Sequence, residues 1–152
     1  MLWGTAMSDI IEDYTITIEQ NPDQSITDFI GDNLSRDAEK GAGFEKERVK
    51  LGIFVRGGDK SFKGGLIAEI SWKWLYIFNI WIQEDYRHKG IGTRLLEIAE
   101  EEAKKRGCGN ACLETFSYQA RPLYERLGYE VFGQLDDFPP GYTKYFMKKE
   151  LV

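Results

Sequence analysis

The order of elements along this 152-residue chain predicts an α+β fold, a mixed, twisted sheet of about seven strands with helices on its faces. Three observations predict it. Short runs rich in β-branched and aromatic residues end in glycine turns. One strongly amphipathic stretch starts directly after a glycine-containing loop. Strand-like runs occur on both sides of that stretch. With 42% hydrophobic and 14% aromatic residues, the chain can bury one good core and is too short for two ordinary domains. Residues 14–150 read as that domain, after an N-terminal extension at 1–13.

Tyr14-Thr15-Ile16-Thr17-Ile18-Glu19 alternates at period two and predicts a first strand, stopped by Asn21-Pro22-Asp23. From Ser25 to about Glu39, Ile26, Phe29, Ile30 and Leu34 recur at helical spacing, with a break expected near Gly31 and a turn at Gly41-Ala42-Gly43. Val49 to Val55 predicts a second strand, and Gly57-Gly58-Asp59 a hairpin turn after it. Gly64 to Trp72 and Leu75 to Ile82 predict two more strands that bend near Trp72-Lys73-Trp74. From Thr93 to Arg106, Leu95, Leu96, Ile98, Ala99 and Ala103 form one helical stripe. The other face carries Glu100-Lys104, Glu101-Lys105 and Glu102-Arg106 pairs at i, i+4, and Gly107 is placed to end the helix. Asn110 to Phe116 predicts a strand, and Gln119 to Leu127 a short helix with Pro122 near its first turn and Gly128 as its cap. Tyr129 to Phe132 and Thr143 to Lys149 close the sheet, separated by a segment that begins at Gly133.

Charge and composition narrow the function. A net charge of -5 argues against nucleic acid as a partner, because binding a phosphate backbone needs a basic face. His88 is the only histidine, so neither a multi-histidine metal site nor a Ser-His-Asp triad is expected, and no metal is implied. Cys108 and Cys112, at C-x3-C spacing, fit neither a disulfide framework nor a paired zinc site, and read as reduced thiols of a cytoplasmic protein. No apolar run approaches a membrane-spanning length; the one from Trp72 to Ile82 is broken by Lys73 and Asn79. Met1 to Ala6 lacks the basic region of a signal peptide, and Met7, followed by Ser8-Asp9, is a candidate start.

The segment Arg87-His88-Lys89-Gly90-Ile91-Gly92-Thr93 joins a strand to the strongest helix. Unpaired amides and the positive helix end make such a junction an anion site, and Gly90 and Gly92 leave room for phosphate oxygens to approach. Arg87 and Lys89 add charge. The loop is not a Walker loop, lacking Gly-Lys-Ser/Thr at the required spacing, nor a dinucleotide fingerprint, lacking the third glycine. Taken alone it also fits a strand-to-helix turn without a ligand.

Arg87-x-x-Gly90-x-Gly92 resembles the R/Q-x-x-G-x-G/A signature of the GNAT N-acetyltransferase superfamily, flanked as in that family by Ile80-Trp81-Ile82 and Leu95-Leu96. A second segment, Ala120-Arg121-Pro122-Leu123-Tyr124-Glu125-Arg126-Leu127-Gly128-Tyr129, resembles the family's A-x-x-x-Y-x-x-x-G-F/Y pattern. The resemblance implies a single-domain GNAT-like fold, with a mostly antiparallel sheet between helices on both faces. It implies acetyl-CoA as co-substrate, its pyrophosphate on the loop from Arg87 to Thr93, and its pantetheine arm along the backbone of Ile80 and Ile82. It implies Tyr124 as general acid to the departing thiolate. Ser117 stands where many members carry an asparagine that bonds the coenzyme.

The expected activity is transfer of acetyl to a primary amine by direct attack in a ternary complex, with a small molecule, peptide or protein as acceptor. The alternative is a non-catalytic module that binds acyl-CoA as a sensor or structural ligand. A nucleotide- or phosphate-binding protein of another fold is a third reading. Glu69, Glu84, Glu114, Asp136, Asp137 and a water held by Asn79 are all open as the base. Trp72, Trp74, Tyr142 and Tyr145 are candidates to wall an acceptor pocket or to pack the core or a hairpin, and the aromatic supply is compatible with a homodimer.

Overall fold

A computed structural model describes residues 10–11, 14–43 and 47–152, so the candidate start at Met7 and most of the N-terminal extension lie outside the described residues. The chain forms two compact units, Met1–Glu45 and Lys46–Val152. In the first, β1 (Ile10–Ile11) pairs antiparallel with β2 (Tyr14–Thr15), and α1 (Gln24–Ala42) follows. The strand expected from Tyr14 to Glu19 is therefore only two residues long. Alternation marks a half-buried face but makes a strand only where a partner exists, and the paired register ends at Thr15. Asp23 caps α1 by accepting from the Ser25 N–H at 2.9 Å. The expected break near Gly31 is absent: one interior glycine costs about 1 kcal/mol, which a 19-residue helix absorbs. Nor do Gly41 and Ala42 form a turn. Only Gly43, at φ 76°, leaves the helix as its left-handed cap, donating to Glu39 O at 2.9 Å.

The second unit is built on a sheet of β3 (Arg48–Arg56), β4 (Phe62–Ser71), β5 (Trp74–Ile82), β6 (Asn110–Phe116), β7 (Glu130–Asp136) and β8 (Thr143–Glu150). Its order is β3-β4-β5-β6-β8-β7, with every neighbour pair antiparallel except β5 and β6. This main sheet has six strands, close to the seven or so expected, and Tyr14–Thr15 belongs to a separate two-stranded sheet with β1. β7 also runs through Gly133 to Asp136, with a register shift between Val131 and Gly133 that keeps it paired to β8.

Between β5 and β6 lie a 3-10 turn (Glu84–Tyr86) and α2 (Ile91–Lys105); α3 (Arg121–Arg126) lies between β6 and β7. α2 packs on β3, β4 and β5. Its Leu95, Leu96, Ala99 and Ala103 meet Leu66, Ala68 and Ile70 of β4 and Leu75 and Ile77 of β5 in one core. α2 ends as the sequence predicts. Gly107, at φ 75°, donates to Lys104 O and Cys108 to Ala103 O, the paired bonds of a Schellman motif. Lys73 Nζ, from the β4–β5 turn, adds a bond to Arg106 O at 3.0 Å. Trp72 and Lys73 hold that turn at φ 53° and 62°, the left-handed pair a two-residue hairpin requires.

Candidate active site

Two irregularities in β5 open the sheet. Ile67 pairs with Asn79 but Ala68 with Ile77, so β5 carries one extra residue at Phe78. Since side chains alternate at period two, that insertion changes which face each residue presents: Leu75 and Ile77 are buried before it, while Ile80 and Ile82 turn inward after it. The second irregularity is on the other edge. β5 pairs with β6 only from Trp74 to Ile77, whereas β6 continues along β8 to Phe116. Beyond Ile77, β5 keeps β4 as its neighbour and parts from β6, leaving a wedge with backbone groups free on one side. Gly64 holds this end of β5 close to β4; a Cβ there would stand 2.5 Å from Trp81 O.

The wedge widens into a cavity of about 960 Å³, at the upper end of the ~300–1,000 Å³ typical of ligand sites. Ile80 and Ile82 line it from β5, His88 and Gly90 from the loop, Gly92 and Thr93 from α2, and Tyr124 from α3. Arg87 and Ile91 also line it. Among lining residues Arg87 and Arg126 are basic and Glu114 alone is acidic, a balance that favours an anion. Lys89 and Ser117 are not part of the wall. The Lys89 ammonium stands over the Tyr86 ring at 5.4 Å. Ser117 faces β8, its hydroxyl accepting from Thr143 N–H at 3.1 Å.

The loop has the geometry of an anion cradle. His88 and Gly90 take left-handed φ values of 57° and 77°, which turn the chain sharply into α2. The first helical bond is Arg94 N–H to Gly90 O at 3.0 Å, so the amides of Ile91, Gly92 and Thr93 precede the ladder, and no side chain caps them. A Cβ on Gly92 would meet only Leu123 Cδ2, at 3.7 Å. The protein thus has room for a side chain there, and leaves it open to the cavity. Arg87 turns back instead of into the loop, its Nε donating to Ile82 O at 2.9 Å and tying the loop to the end of β5.

Tyr124 is placed by the end of α3. Gly128, at φ 91°, donates to Glu125 O, and Tyr129 N–H donates to Tyr124 O at 3.0 Å, a second Schellman motif. Its usual apolar contact is here the edge-on packing of Tyr124 against Tyr129, with centroids 6.1 Å apart. The spacing Tyr-x-x-x-Gly-Tyr is the sequence form of that motif. Tyr124 is 5% exposed and faces the cavity, and burial raises its phenol above the ordinary value of 10.0. No described residue hydrogen-bonds its hydroxyl. Tyr129 in turn donates to Glu100 Oε1 at 3.0 Å, and Lys149 Nζ donates to Glu100 Oε2 at 2.6 Å. This buried group ties α2 and β8 to the segment that follows Tyr124.

Of the six candidate bases, Glu114 and Asn79 reach the cavity wall. Glu69 is buried and paired with Arg48 at 2.8 Å. Asp137 accepts from Gly141 N–H, and Asp136 from Gln134. Glu84 sits in the 3-10 turn. Of the two readings of the aromatic group, packing holds and none of the four lines the cavity: Trp72 is in the hairpin turn and Trp74 opens β5 at the paired end, while Tyr145 lies under the Arg121 guanidinium at 4.3 Å. Tyr142 packs edge-on against Tyr118, and it is Tyr118 that lines the cavity. Sequence reasoning missed Tyr118, Phe78 and Arg126. Arg126 alone left a trace, as a basic residue on the same short helix as Tyr124.

Among the described residues no His/Cys/Asp/Glu group could hold a metal, and no helix is long and apolar enough to cross a membrane. Blasticidin-S acetyltransferase of Streptomyces morookaense is 37% identical over 89 residues, 58% of this chain and 65% of that protein. A crystal structure of an acetyltransferase from Bacillus cereus superposes with a TM-score of 0.78 at 26% identity, covering 89% of this chain and 98% of that one. A Bacillus anthracis structure in complex with acetyl coenzyme A shares the fold, with a TM-score of 0.61 at 19% identity over 74% of this chain and 68% of that one. Residues 8–129 match the acetyltransferase (GNAT) family. The chain belongs to that family and is a GNAT acetyltransferase.

Proposed function

We propose that this enzyme transfers acetyl from acetyl-CoA to a primary amine by direct attack, with Tyr124 as general acid. The observation that carries the reading is the single cavity bringing together the uncapped amides of α2, the free edge of β5 and the buried hydroxyl of Tyr124. The amides of Ile91, Gly92 and Thr93 bind the pyrophosphate, with Arg87 holding the loop in place and Arg126 adding charge. Ile80 and Ile82 pair their free backbone groups with the pantetheine amides, as a neighbouring strand would. A β5 amide near Ile82 donates to the thioester oxygen as it gains charge.

The amine nitrogen bonds to the acetyl carbon as the carbon–sulfur bond breaks. The nitrogen's proton passes to Glu114 directly or through a water held by Asn79, and the sulfur takes a proton from Tyr124. Burial keeps Tyr124 in the protonated form that an acid needs, since a phenol raised above 10.0 stays protonated at every physiological pH. A small-molecule amine is favoured as acceptor by the likeness to an enzyme named for blasticidin S.

Thermal unfolding with and without acetyl-CoA tests the first half of the proposal. Coenzyme at a hundred times its Kd should stabilise the fold by about 2.7 kcal/mol. Thiol release with a panel of amines tests the second half. Stabilisation without release for any amine would leave a coenzyme-binding protein and refute the transfer.

A further inference from the structure

The sheet face opposite α2 carries a smaller cavity of about 260 Å³. Tyr76 and Phe78 of β5, Cys112 of β6, Phe132 of β7 and Phe146 of β8 line it. Ile77, Phe78, Leu113 and Glu114 line both cavities. The two hollows share this stretch of wall at the place where β5–β6 pairing ends, at Ile77 and Leu113. The charged residue shared at that junction is Glu114. Its carboxylate is 53% exposed and ion-paired with Lys144. The Lys144 ammonium sits 5.3 Å from the Phe138 and Phe146 rings. A carboxylate has about four acceptor sites, so one lysine does not exhaust it.

We propose that the smaller cavity receives the side group of the acceptor, and that the acceptor is a primary amine bearing one aromatic ring or a short apolar group. Its nitrogen lies at Glu114 and its ring among Phe78, Phe132 and Phe146. This rests on the acetyl-transfer reading above and adds the class of substrate to it. Three properties select that class. The wall is apolar apart from Glu114 and the Tyr76 hydroxyl, so a sugar or polyamine would strand polar groups there without partners. Burial, with Glu114 nearby, pushes the Cys112 thiol up to about 11, so that part of the wall carries no charge at neutral pH. The volume lies below the ~300–1,000 Å³ of sites for drug-sized ligands, which suits one ring better than a stretch of peptide.

The test compares phenethylamine with ethanolamine and putrescine on the full chain at saturating acetyl-CoA, read by thiol release. In parallel, calorimetry measures phenethylamine binding to the chain loaded with coenzyme A. The expected result is a kcat/KM for phenethylamine about tenfold or more above the other two. In Phe132→Ala the preference should fall toward parity and the calorimetric Kd should rise by about tenfold. Phe132 is 58% exposed, so its truncation leaves the fold intact, which a melting curve checks; Phe146→Leu provides a second variant. Equal kcat/KM across the panel, or a phenethylamine Kd indifferent to both substitutions, overturns the proposal and leaves acetyl transfer standing. Binding that responds to Phe132→Ala while no amine releases thiol has the opposite meaning: the pocket stands and the transfer reading fails.

Discussion

Replacing Tyr124 with Phe removes one oxygen and leaves the ring in place. The edge-on contact with Tyr129 and the Schellman bonds of α3 do not involve the hydroxyl, and no described residue hydrogen-bonds it. Stability should therefore change by less than about 1 kcal/mol. General acids contribute about 10²–10⁴-fold, and the structure favours the lower end of that range. A thiol with an ordinary pKa of about 8.5 leaves readily, and a phenol raised by burial above 10.0 is a reluctant donor to it. The expected loss in kcat is about a hundredfold, or about 2.7 kcal/mol at 1.36 kcal/mol per decade. The Kd for acetyl-CoA should not move. Single-turnover thiol release at saturating amine measures the chemical step, and calorimetry measures the coenzyme. A rate within twofold of the parent enzyme, with chemistry limiting, would remove Tyr124 from the mechanism. A parallel loss of coenzyme affinity and stability would make it a packing residue instead.

Gly92→Ala should raise the thermal midpoint of the free protein slightly, because the helix gains propensity of up to about 1 kcal/mol and the new methyl meets only Leu123; the Kd for acetyl-CoA should rise at least about tenfold. Lys149→Met leaves Glu100 buried without its cation and should cost about 2–3 kcal/mol in denaturant unfolding, below the full range for a buried pair because Lys149 is 23% exposed. Burial holds the Tyr129 and Tyr124 phenols above 10.0, with Glu100 adding to the effect on Tyr129. Above pH 10 the unfolded chain therefore loses protons that the folded chain keeps. That stabilisation is complete below pH 10 and declines as pH rises through the folded values. Tyr129→Phe should flatten the alkaline decline of a melting-temperature profile. With its thiol at about 11, Cys112 should be about a thousandth thiolate at pH 8, so its alkylation should be far slower than in the denatured chain.

The sequence by itself determined the elements whose signals are local. α2 declares itself through its apolar stripe and through Gly107, and the turn into it through Gly90. The Tyr124 segment is legible because a Schellman motif is written in consecutive residues: Gly128 is fixed by its left-handed φ, and Tyr129 follows as the apolar contact. Local signals stop where pairing begins. Nothing within Tyr14 to Glu19 shows that its ladder ends at Thr15, because a strand's length depends on a partner elsewhere in the chain.

Only the tertiary structure decided what the cavity contains. The parting of β5 from β6 after Ile77 is a relation between residues more than thirty positions apart, and the extra residue at Phe78 is invisible until its register against β4 is known. Those two features open the cavity that, of six acidic and amide candidates, Glu114 and Asn79 reach and that Tyr118 and Phe78 line, while pairing with Thr143 turns Ser117 toward β8. The physical reason is the same in each case. A side chain's chemistry is fixed by its residue type, but its neighbours are fixed by backbone register, and register is set across the sheet.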